Sequence, residues 1–224
     1  MPSQFNDPFE AKPRYQPPQS GKEARAIRTR LINLTVSQGL KRKDAEKLVS
    51  QRMSDPSFFE EVLGNSASKS YQEVRACCFT VSNKNLLFWA HYANSHKGFC
   101  VGFDATILPV SMAYKIQYKD QYPSVSYPPY YDQQDLKPLL VKSDVWSYEE
   151  EYRTLLVKEA RVSPHDNESF FLSENSITDI YLGSMMNKEN QKELLKIISQ
   201  SRFEPKIWLA KLSKTSYQIE FEPF

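Results

Sequence analysis

Residues 86–104, LLFWAHYANSHKGFCVGFD, change period part-way along, and that change decides the fold class. From Asn85 to Asn94 the spacing predicts a helix that turns Leu87, Trp89, Ala90 and Ala93 inward. From Gly98 to Asp104 the pattern alternates. It predicts a strand with Phe99, Val101 and Phe103 on one side and Cys100 on the other. The same stretch gathers Trp89, His91, His96 and Cys100, which include two of the three histidines and one of the three tryptophans. Rare residue types packed so closely mark either a site or an unusually specific core.

Working outward, Val74–Ser82 is a short apolar run fit for a buried strand, and Ala113–Lys119 alternates as another. Tyr152–Lys158 and Ile177–Gly183 read as strands. A helix follows, capped by Asn187 and running to about Gln200, because an Asn side chain accepts the first free amides of a helix. Lys206–Leu212 and Tyr217–Phe221 form a closing pair with hairpin spacing. Towards the start, MPSQFNDPFE (Met1–Glu10) is a polar turn bracketed by Pro2 and Pro8, with Phe5 and Phe9 as core anchors. Residues 11–21 are Pro-rich and extended. From Lys22 to Met53 helix formers dominate and predict two helices broken near Gly39. A third is opened by Ser54–Asp55–Pro56 and closed by Gly64. Residues 120–135 form a Tyr-, Pro- and Asp-rich loop. Strands that mostly neighbour one another in sequence predict an α+β fold. We expect a mostly antiparallel sheet with helices packed on it, and a helical segment near the N-terminus. The organisation expected is one domain, 1–224, with 22–64 as a helical insertion.

Composition narrows the function classes. The chain has 29 Lys+Arg against 27 Asp+Glu, a net charge of +2, so bulk electrostatics point to neither nucleic acid nor membrane. Local charge is less even: Lys22, Arg25, Arg28, Arg30, Lys41, Arg42 and Lys43 crowd the helices of 22–53. A solvated face is the ordinary reading of that run, and a nucleic-acid contact the sharper one. Only 6 glycines occur, and no GxGxxG or GxxxxGK[ST] phosphate loop. The cysteines, Cys77, Cys78 and Cys100, are odd in number and two are adjacent, which fits a reducing cytoplasm better than a disulfide framework. No apolar run approaches the roughly 20 residues of a membrane span, so no membrane partner is expected.

Two clusters can carry chemistry. On the helix, Trp89 and Tyr92 lie three residues apart and share a face suited to stacking a planar ligand. His91 and His96 are candidate proton carriers, because imidazole titrates near neutrality. For His96, just before Gly98, the competing reading is an imidazole capping the helix carbonyls. The second cluster is WSYEEEYR, Trp146–Arg153. Were Glu149 onward extended, Glu149, Glu151 and Arg153 would share one face of a strand. Two adjacent carboxylates would raise one pKa, and Arg153 would offset the repulsion or bind phosphate. That arrangement suits acid–base work or gripping ribose hydroxyls, with Glu151 as the principal carboxylate and Glu149 as its helper. Trp146 and Tyr148 would stack on the ligand. The rival reading is a solvated charge run on an edge strand. On the catalytic reading, Glu151→Gln abolishes activity and leaves the melting temperature nearly unchanged. No metal site is expected. The histidines and cysteines lack CxxC or HxxxH spacing, and adjacent cysteines on a strand point to opposite faces. Cys100 acting as a nucleophile with His96 would need both to emerge at one sheet edge.

Taken in order, PSQFNDPFE (Pro2–Glu10), CFTVSNKNLLFWAHYANSHKGFCVGFD (Cys78–Asp104), KSDVWSYEEEYR (Lys142–Arg153) and ITDIYLG (Ile177–Gly183) resemble a bacterial and phage-associated family known as domain of unknown function 2971. Asn6 and Asp7 of the FNDPF turn are read as ligand contacts, and phage defence or a toxin system as the setting. Relatives carry a segment before that turn with an aromatic- and Arg-bearing strand, so the chain reads as an N-terminally short member. A looser similarity is to ADP-ribosyltransferases, compact α+β enzymes with a Glu-x-Glu entering a strand, as Glu149-x-Glu151 does here. It implies NAD as a cofactor or substrate and transfer chemistry on a nucleotide-like small molecule. The alternative is a non-catalytic binding or regulatory module contacting a protein or nucleic-acid partner through the basic helices.

Overall fold

The computed structural model describes residues 7–16, 18, 20–55, 57–58, 74–126, 136–156 and 172–224. Most of the expected helix from Ser54 to Gly64 and of the loop at 120–135 lies outside the described residues. So does Asn6.

In chain order the described elements begin with β1 (Arg14–Gln16), α1 (Gly21–Ser37), α2 (Arg42–Met53), β2 (Arg75–Thr80), α3 (Leu86–His91) and β3 (Phe99–Phe103). They continue with β4 (Tyr114–Lys115), β5 (Gln117–Lys119), β6 (Ser124–Ser126), β7 (Val141–Ser143) and β8 (Glu151–Leu156). Last come β9 (Ile177–Leu182), α4 (Lys188–Ser199), β10 (Lys206–Leu212) and β11 (Ile219–Pro223). The fold is α+β with a helical segment near the N-terminus, as the sequence periodicities indicate. The chain divides into two compact units. One comprises Met1–Arg75 and Gln117–Asp144, the other Ala76–Ile116 and Val145–Phe224.

In the first unit, α1 and α2 form a helical hairpin around Ile27, Leu31, Ile32, Ala45 and Val49. Ser20 caps α1 by accepting the Glu23 amide. Gly39, at φ 102°, takes the left-handed position that ends α1, which is why the helical pattern breaks there. The strands of this unit pair in parallel, β1 with β6 and β5 with β7.

The second unit is built on a four-stranded sheet of order β11-β10-β9-β3. β3 is antiparallel to β9, and β10 is antiparallel to β11. β9 and β10 run parallel, as strands joined through a helix such as α4 can do. Alternation along β9 sends Ile180 and Leu182 to one face, where they pack with Met186 and with Leu194 and Ile198 of α4. The opposite face presents Asp179 and Tyr181, and α3 lays Trp89 and Ala93 there against Ala210 and Ile219. A separate three-stranded sheet has the order β2-β8-β4. Residues 113–119, expected as one strand, are two. Tyr114–Lys115 pairs with β8 and Gln117–Lys119 with β7, and buried Ile116 stands at the switch. No helix among the described residues is long and apolar enough to cross a membrane.

Candidate functional site

The two clusters singled out in the sequence meet within the second unit. Asn85 begins α3: its side-chain oxygen accepts the amides of Leu87 and Phe88, and its Nδ2 donates to the Tyr148 carbonyl at 2.6 Å. Two turns further on, Tyr92 Oη donates to Glu149 Oε1 at 2.7 Å. His91 Nδ1 and Tyr148 Oη lie 3.4 Å apart. Trp146 stands beside Tyr148, their ring centres 6.1 Å apart.

Glu149 is not extended, contrary to the expectation of a shared strand face. It ends a 3₁₀ helix, Asp144–Glu149, and Glu150 turns the chain at φ 45° before β8 begins. Glu149 is buried against Tyr92, while Glu151 and Arg153 share a face of β8. There Arg153 Nε donates to Glu151 Oε1 at 2.6 Å and Nη2 to Oε2 at 2.9 Å, with both side chains buried. This two-pronged geometry is the strong form of an arginine–carboxylate pair.

The end of α3 explains His96. Asn94, Ser95 and His96 are successive residues with positive φ, an uncommon run without glycine. The turn lets the amides of Ser95, His96 and Gly98 reach the carbonyls of Ala90, Trp89 and Ala93. The helix is therefore capped by His96's backbone and not by its imidazole. The ring stacks on Trp89 at 6.4 Å, and its Nδ1 is buried with no partner among the described residues. The carbonyls of His96 and Gly98 in turn accept the amides of Met185 and Gly183. Trp89, expected to stack on a ligand, is buried and donates its indole N–H to the Asn83 carbonyl at 2.7 Å.

A cleft of 970 Å³ opens in this unit between β2 and β3, each an edge strand of its sheet among the described elements. Residues 77–83 and Phe99–Phe103 line it, and the Phe79 and Phe103 rings meet edge to face at 5.7 Å. Trp89 and Tyr92 border it from α3, and Tyr152 from β8. Because Tyr152 lines the cleft, alternation puts its neighbours Glu151 and Arg153 on the opposite face of the strand. Glu149 approaches the cleft through Tyr92.

Two polar residues on the floor were not singled out by the sequence reading. Asp179 and Tyr181 project from β9, and Asp179 Oδ1 accepts the Trp208 indole N–H at 2.8 Å. Gly102 stands opposite Asp179. A Cβ there would lie 3.1 Å from that of Asp179, so the glycine keeps the carboxylate uncrowded. Burial and the neighbouring Asp179 charge push the Tyr181 phenol above its ordinary range, despite a hydrogen bond from Asn83 that lowers it. Burial likewise pushes the Cys77 and Cys100 thiols up, which disfavours the nucleophilic thiolate. A signal existed for Asp179: a carboxylate inside the apolar run ITDIYLG is costly unless it is hydrogen-bonded or used.

Asp7 belongs to the other unit. It is buried, accepts the Phe9 amide at 2.9 Å and so holds its own turn. It also lines a cavity of 480 Å³ with Glu10, Arg14 and Lys142.

No family model, curated protein or solved structure matches the chain.

Proposed function

We propose that the second unit is a binding module for a nucleotide-like small molecule, held by its aromatic ring in the cleft between β2 and β3. The observation that carries this reading is the cleft itself: 970 Å³, walled by Phe79, Phe88, Tyr92 and Tyr152, with Asp179 fixed on its floor by Trp208. A concavity lined by apolar and aromatic side chains with a few oriented polar groups is the usual form of a small-molecule site. The Glu151–Arg153 pair favours binding over transfer chemistry. A catalytic Glu151 would have to leave a two-pronged buried partner and reach round its own strand. The motif resemblance to domain of unknown function 2971 belongs to the same reading, as does a cytoplasmic location, which the thiols of Cys77 and Cys100 suit.

Calorimetric titration with adenosine, NAD and ATP tests it. Thr178 is an exposed lining position, so Thr178→Trp adds bulk to the cleft from its surface. Saturable binding that weakens at least tenfold in the variant supports the proposal. The absence of binding by all three, or binding indifferent to the variant, overturns it.

A further inference from the structure

Among the described residues that line the cleft, one carries a formal charge, and it is negative: Asp179. No lysine, arginine or histidine is among them. A phosphate site needs the reverse, cationic side chains or converging backbone amides that meet the anion's charge. In register, Lys206 of β10 stands opposite Asp179, but it is exposed and outside the lining. The indole N–H of Trp208 orients the carboxylate without cancelling its charge. Phe79, Phe88, Tyr92, Tyr152 and Tyr181 line the same cleft, and an aromatic ring attracts a cation through the negative quadrupole of its face. A carboxylate and aromatic faces make the same demand of a ligand.

We infer that the cleft prefers a planar organic cation, a protonated or alkylated heterocyclic amine, over neutral and phosphorylated ligands that carry the same ring. This rests on the binding reading above and adds the charge that its ligand carries.

Three ligands with one ring and three charges test it on the full chain: adenosine, 1-methyladenosine as the cation, and ATP as the anion. The expected order of affinity is cation, then neutral, then anion, with at least tenfold between the ends. Asp179→Asn keeps an oxygen to accept from Trp208 and is expected to erase the cation's advantage over adenosine. Thr178→Lys, which adds a positive charge at an exposed wall position, is expected to narrow or reverse the order whether or not Asp179→Asn folds. Tightest binding of ATP by the wild type overturns the inference and leaves the binding module standing. A cation preference that survives both variants also overturns it. Failure of all three ligands to bind removes the binding module itself.

Discussion

Tyr92 and Glu149, 57 residues apart, are joined by a 2.7 Å hydrogen bond in which the phenol donates to a carboxylate only 1% exposed. The bond ties the first aromatic cluster to the acidic one. A buried carboxylate depends strongly on its donors, because hydration no longer compensates it. Tyr92→Phe keeps the ring packed on Phe88 and removes one donor. It is expected to lower stability by about 1–3 kcal/mol, read by urea unfolding with an unchanged m-value. A loss below a few tenths of a kcal/mol would show that the bond carries little.

Glu151→Gln separates a structural role from a catalytic one. The substitution leaves Arg153 buried beside a neutral amide, and breaking such a pair from one side costs about 3–5 kcal/mol. A marked fall in the denaturation midpoint is therefore expected at neutral pH. A melting temperature equal to wild type would return Glu151 to the catalytic role its sequence position suggests.

Gly183 is a packing requirement. A Cβ there would run into the His96 carbonyl oxygen and stand 2.6 Å from that of Gly98. Both are backbone atoms held in the turn that caps α3. Gly183→Ala is expected to cost about 3 kcal/mol or more, at or above the usual upper range for overpacking. Circular-dichroism melting checks it, and an unchanged transition would refute the close approach.

The thiols should differ in reactivity. Cys78 is exposed, whereas burial holds Cys77 and Cys100 in their protonated forms. Alkylation with iodoacetamide at neutral pH is expected to modify Cys78 first. The other two should react appreciably only as pH rises beyond the ordinary thiol range, since their folded pKa is raised. Peptide mapping by mass spectrometry reads the order. Early modification of Cys100 would contradict it.

Local signals were legible where the chain answers to its own neighbours. The break at Gly39, the Asn187 cap and the closing pair of β10 and β11 follow from capping and alternation. The two aromatic-and-polar clusters do meet, through Asn85, His91 and Tyr92. What was not legible depended on partners far along the chain. The parallel pairing of β9 with β10 leaves no local trace. The left-handed turn at Glu150 gives no glycine to announce it, yet it takes Glu149 out of line with Glu151. Asp179 gained meaning only from Trp208 and Gly102, which reach it across neighbouring strands.

The cleft between β2 and β3 is tested most directly by amide chemical-shift mapping of the labelled chain on titration with 1-methyladenosine. The account predicts saturable shifts confined to residues 77–83, 88–93, 99–103, 152 and 178–181, with α1 and α2 unmoved. Shifts that gather on the basic helices while the cleft stays silent would contradict it.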